Sequence, residues 1–156
     1  MNILFGISDT QECYNAIKFA VKLAHSLKEV RFTLLHVSME VFIYSESGMM
    51  DYGLHVSMEV FIYSESGMMD YGQTEALEEE KAKALLKQFE DAFKKENIEC
   101  ESVLKSGDLI DVVLDMAKDY DLLLIGASES NLLYRLFISH QNSLVEQSSI
   151  PVVIAK

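Results

Sequence analysis

The sequence predicts an α/β fold: a five-stranded parallel sheet, doubly wound, with helices on both faces in a three-layer sandwich. Three observations lead there. Apolar runs of strand length recur along the chain, separated by stretches with helical spacing. Those runs are near-continuous, the pattern of strands buried on both faces. The chain has 156 residues, 49% of them hydrophobic, enough for one domain with a real core.

Asn2–Ser8 is the first strand. Asp9 follows as a helix N-cap, with Glu12 three residues on. Cys13, Ala16, Ile17, Ala20, Ala24 and Leu27 then recur at helical spacing as far as Lys28. Val30–Val37 is the second strand. After a loop, Glu75–Glu96 is a long helix with Ala82, Leu85, Leu86, Phe89 and Phe93 on one face. Ile98–Leu104 is the third strand. Ser106-Gly107-Asp108 forms a turn, with Asp108 capping a helix from Leu109 to Lys118. Asp121–Ile125 is the fourth strand, ended by Gly126. Ser139–Ser148 is helical, and Pro151–Ala155 is the fifth strand. Right-handed crossovers make such a sheet doubly wound. Ligands then lie beyond the carboxyl ends of the strands, where strand order reverses. The relevant stretches are Ser8-Asp9, Val37-Ser38 and Gly126-Ala127-Ser128.

The loop after the second strand holds a perfect repeat. Residues 35–53 read LHVSMEVFIYSESGMMDYG, and residues 54–72 repeat them identically. A solenoid needs at least three units, and natural repeats diverge. Perfect identity argues against an old, adapted duplication. It fits a recent tandem duplication, an engineered one, or a single loop read out twice. The first copy completes the strand, and the second lengthens the loop at small entropic cost. Val60–Tyr63 is then a β-prone segment that has to pair or pack. Without one copy the chain has 137 residues (156 less 19) and loses three acidic residues, so its charge moves from −12 to −9. The expectation is one domain over residues 1–156.

A charge of −12 excludes an electrostatic footprint for nucleic acid or anionic membrane. No basic patch offsets it, and no apolar stretch is long enough to span a bilayer. The N-terminus lacks the basic region of a signal peptide. Cys13 and Cys100 are too few and too far apart for a disulfide framework, and the four histidines and two cysteines lack metal-ligand spacing. The expected setting is cytoplasmic.

The chain resembles the universal stress protein family. The resemblance rests on ILFGISD (3–9), TLLHV (33–37), SGD (106–108), DLLLIGAS (121–128) and SIPVVIAK (149–156). It implies the adenine nucleotide alpha hydrolase-like version of the fold and a homodimer paired through the last strand, Pro151–Ala155. It also implies a nucleotide site. Asp9 matches the family's acidic residue after the first strand, and Val37 the backbone position that meets adenine. Gly126 matches the first glycine of the ATP motif. The second glycine is replaced by Glu129, and the Gly-Ser pair falls on Ser139-His140. A carboxylate and two Cβ atoms there oppose phosphate. Ser128, Ser139 and Asn142 remain as donors. The resemblance is therefore to the branch that does not bind ATP.

Simpler roles exist for each residue. Asp9 serves as a cap, Gly126 as a turn, Cys13 and Cys100 as small core residues. His36 alone makes no catalytic site. Glu78-Glu79-Glu80 is a solvated face, with Glu79 paired to Lys83. Phosphate-loop and dinucleotide motifs are absent. The expected function is a non-enzymatic, homodimeric stress-response module needing no cofactor. The alternative is an ATP- or AMP-binding switch using Asp9, Val37, Gly126, Ser128, Ser139 and Asn142.

Overall fold

Successive side chains of a strand point to opposite faces, and the apolar runs of this chain use both. In the computed structural model, residues 1–42, 53–56, 71–128 and 144–156 are described. They form β1 (Asn2–Gly6), α1 (Gln11–Ser26), β2 (Arg31–Phe42), β3 (Gly53–Val56), α2 (Tyr71–Lys95), β4 (Cys100–Ser106), α3 (Leu109–Ala117), β5 (Leu122–Gly126), α4 (Leu144–Gln147) and β6 (Val152–Ala155).

Five of the strands make one parallel sheet in the order β4-β2-β1-β5-β6. Ile3, Phe5, Phe32, Leu34 and Leu124 point to one face, where Cys13, Ala16 and Ala20 of α1 and Leu86, Phe89 and Phe93 of α2 cover them. Leu4, Leu35, Val37, Leu123 and Ile125 point to the other, beneath Val113 and Ala117 of α3 and Leu144 of α4. This is the three-layer sandwich that the sequence predicts. Aromatic edges lock the first face: Phe5 meets Phe89 at a centroid distance of 6.1 Å, and Phe32 meets Phe93 at 4.9 Å.

The two ends of β4 differ from the expected Ile98–Leu104 for physical reasons. Asn97 takes a left-handed conformation (φ 57) and ends α2, with the Ile98 amide donating back to the Phe93 carbonyl at 3.1 Å. Ile98 therefore closes a helix instead of opening a strand, and β4 begins two residues later. At the other end of β4, the Gly107 amide donates to the Ser38 carbonyl at 3.1 Å. The predicted cap at Asp108 is present, its carboxylate accepting from the Asp111 amide at 3.0 Å.

The repeat does more than lengthen a loop. β2 runs on through the first copy to Phe42, and Gly53–Val56 folds back against it antiparallel, with Met39 opposite Val56 and Phe42 opposite Gly53. The triplet Leu-His-Val therefore occurs twice in strand form. Leu35-His36-Val37 lies in the parallel sheet and Leu54-His55-Val56 in the antiparallel arm. Val60–Tyr63 lies outside the described residues.

Candidate functional site

Strand order reverses between β1 and β5. β2 and β4 continue to one side of β1, and β5 and β6 to the other. The crevice beyond the carboxyl ends of β1 and β5 is thus the switch point where this class of sheet takes its ligands.

The first wall is the β1–α1 turn. Thr10, and not Asp9, caps α1: its hydroxyl accepts from the Cys13 amide at 3.3 Å. Both residue types cap well, and the choice follows from packing. The Cα and amide of Cys13 sit against Gly126, where an added Cβ would come within 2.5 Å of each. Gly126 is more than a turn residue, because its bare backbone lets α1 start directly against the end of β5. Asp9, released from capping, is exposed. Its carboxylate accepts from the Tyr14 hydroxyl at 2.9 Å, and the Tyr14 ring packs on Phe89 at 5.2 Å.

The second wall is the end of β2. The Ile7 amide donates to the Leu35 carbonyl at 2.7 Å on the β1 side, and Ser38 accepts from Gly107 on the β4 side. Alternate residues of a parallel strand address opposite neighbours. The Val37 amide and carbonyl therefore face the β1 side, beyond Gly6, where the β1–β2 ladder ends. The Val37 side chain is buried in the opposite direction from that of His36.

His36 is 5% exposed, and its Nδ1 lies 2.9 Å from the Ile7 carbonyl. A carbonyl only accepts, so Nδ1 carries the proton. Nε2 is then a buried lone pair without a hydrogen-bond partner among the described residues. Burial holds the imidazole below its ordinary 6.5, against smaller opposing effects of the Ile7 carbonyl and Glu78. Glu78, expected on a solvated face, is 4% exposed and pairs with Lys81 at 3.1 Å. Glu79 pairs with Lys83 as predicted. Burial pushes the Cys13 thiol up to about 12, which removes it as a nucleophile near neutral pH.

The third wall is Ser128, whose hydroxyl donates to the Glu12 carboxylate across the crevice floor. Thr10, Glu12 and Tyr14 also shape this end of the sheet, and sequence reasoning left them unassigned to the site. Their signals were a place at the start of α1 and, for Glu12, the capping-box spacing from Asp9. Asp9, Val37, Gly126 and Ser128 all gather at the switch point. Glu129, Ser139, His140 and Asn142 lie outside the described residues.

Other chemistry is sparse. Among the described residues no group of three or more His, Cys, Asp or Glu could hold a metal ion. No helix among them is long and apolar enough to cross a membrane. A cleft of about 340 Å³ lies at the opposite end of the sheet, among Arg31, Thr33, Glu99, Glu101 and Tyr120. Its polar groups satisfy one another: Arg31 pairs with Glu99 at 3.4 Å, and Thr33 donates to Glu101 at 2.9 Å.

Comparison with known proteins follows the same lines. Proteins called universal stress protein from two Helicobacter pylori strains are 88% identical over 156 residues, with all of each chain covered. An Arabidopsis thaliana universal stress family protein with AMP bound superposes at a TM-score of 0.64, with 16% identity over all of this chain and 91% of that one. A universal stress protein in complex with cAMP superposes at 0.61, with 16% identity over all of this chain and 97% of that one. At such identities these two structures speak for the fold. The model of the universal stress protein family matches residues 48–156. The chain belongs to the universal stress protein family.

Proposed function

We propose that this chain is a non-enzymatic stress-response regulator that works as a homodimer and takes an adenine nucleoside or nucleotide in the β1/β5 crevice. One observation carries the ligand: Asp9, the Val37 backbone and Ser128 converge at the point of strand reversal. Structural neighbours with AMP bound and in complex with cAMP support the same class of ligand. In this reading Asp9, oriented by Tyr14, accepts from a ribose hydroxyl, and the Val37 amide and carbonyl meet the adenine edge. Ser128 stands on the side of the crevice where a phosphate would lie.

The non-enzymatic character is supported by the state of the nucleophile and base candidates. The Cys13 thiol is buried and protonated, and the His36 imidazole is buried away from solvent. A homodimer through Pro151–Ala155 is supported by β6 itself. Val152, Val153, Ile154 and Ala155 are all half-buried on a strand that pairs only with β5 among the described residues. A cytoplasmic setting suits two free thiols.

Calorimetry with adenosine, AMP and ATP tests the ligand. Saturable binding to the full chain, weakened by Asp9→Ala, is the expected result; no heat with any of the three discards it. Sedimentation tests the assembly, and a monomer at high protein concentration would count against pairing through β6.

A further inference from the structure

The resemblance points to the phosphate end of the crevice as damaged by Glu129 and Ser139. The structure adds a charge at a place the motif does not cover. The Glu12 backbone packs on Gly126, with its carbonyl carbon 2.7 Å from an added Cβ. Its carboxylate is held by the Ser128 hydroxyl, two residues beyond β5. The side chain is thus fixed at both ends, on the floor of the crevice.

The consequence is electrostatic. The N-terminus of α1 would carry a partial positive charge attractive to phosphate. Glu12 stands in the first turn and opposes it. Asp9 adds a second carboxylate at the same helix start. Repulsion grows with every charge a ligand brings, from neutral adenosine through AMP to ATP.

We propose that Glu12, held by Ser128, sets the charge that the crevice accepts, so that it takes a nucleoside or a nucleoside monophosphate and turns away a triphosphate. The proposal rests on the nucleotide reading above and assigns a specificity residue within it. Glu12 positions no reacting atom; it acts on the ligand through its charge.

Titration calorimetry of the full chain in magnesium-free buffer tests it, using adenosine, AMP and ATP against wild type, Glu12→Gln and Glu12→Asp. Gln keeps an oxygen that can accept from Ser128 and loses the charge, whereas Asp keeps the charge. Wild type should bind adenosine and AMP about ten-fold more tightly than ATP, a gap of about 1.4 kcal/mol. Glu12→Gln should close most of that gap by tightening ATP while adenosine changes little, and Glu12→Asp should keep it. Circular dichroism establishes that each variant is folded. If the ratio of ATP to adenosine affinity is the same in wild type and Glu12→Gln, the role of Glu12 is overturned and the nucleotide reading stands. If wild type binds none of the three ligands, the nucleotide reading falls and the proposal with it.

Discussion

The Cα and amide of Cys13 lie where a side chain on Gly126 would have to go. One end of a helix and one end of a strand thereby share a space that only glycine leaves open. The obstructing atoms are backbone and cannot rotate away. Gly126→Ala should cost about 1–3 kcal/mol, toward the upper end, because either α1 or β5 has to shift. Urea unfolding measures this, and an unchanged midpoint would mean that the two elements are not in contact.

Thr10 and Asp9 divide two duties that the sequence concentrates on Asp9. Thr10→Ala removes the cap of α1 and should lower stability by about 1 kcal/mol. Asp9→Ala removes one exposed hydrogen bond from Tyr14 and should change stability by less than about 0.5 kcal/mol. Its effect should appear in ligand affinity instead. Thermal unfolding of both variants beside calorimetry checks the division. Equal stability losses would return the cap to Asp9.

His36 makes stability depend on pH with a definite sign. Its folded pKa is depressed, so the unfolded chain takes up the proton first. Its contribution is complete above the ordinary value of 6.5 and is lost as pH falls through that value toward the folded pKa. Each unit of depression corresponds to about 1.4 kcal/mol. Urea midpoints of wild type should therefore fall relative to those of His36→Gln between about pH 7.5 and 5.5. Parallel curves would show that His36 titrates alike in both states. Because the charge of Glu78 opposes the depression, Glu78→Gln should lower the His36 titration further in a proton NMR experiment.

Removing either copy of the repeat yields the same 137-residue sequence (156 less 19). That chain should keep the five parallel strands and lose β3. Its stability should stay within about 1 kcal/mol, because loop-closure entropy changes slowly with length. Phe32→Ala should be far more costly, about 3–5 kcal/mol. Phe32 also settles which copy enters the sheet. Sliding Leu54-His55-Val56 into the place of Leu35-His36-Val37 would put Asp51 where Phe32 is buried at 1% exposure and Gly53 where Leu34 is buried at 0%. Intact mass together with circular dichroism of the deletion checks both statements.

Strand and helix identities were legible because each apolar run meets a face that something covers. What was not legible depended on relations between distant segments. The Asp9–Thr10 ambiguity is resolved by Gly126, more than a hundred residues away. By residue type alone Glu78 is expected on a solvated face. Its place in the series with Ala82, Leu86, Phe89 and Phe93 puts it on the covered stripe. Spacing held that information, and the run of three glutamates masked it. The antiparallel pairing of β3 could not be foreseen from local sequence, since Leu54, His55 and Val56 repeat residues that lie in the parallel sheet in β2. For the candidate site, the strand ends and their order identified Asp9, Val37, Gly126 and Ser128. The Ser128–Glu12 bond needed the sheet to bring β5 beside α1.

The two Leu-His-Val triplets make this chain its own calibration standard. His36 and His55 share the same residue before them and the same run of residues after them. Local sequence effects on the two backbone segments are therefore matched within one molecule. A single NMR spectrum of the backbone amides then reports the difference between two strand settings, one in the parallel sheet and one in the antiparallel arm, with no reference peptide.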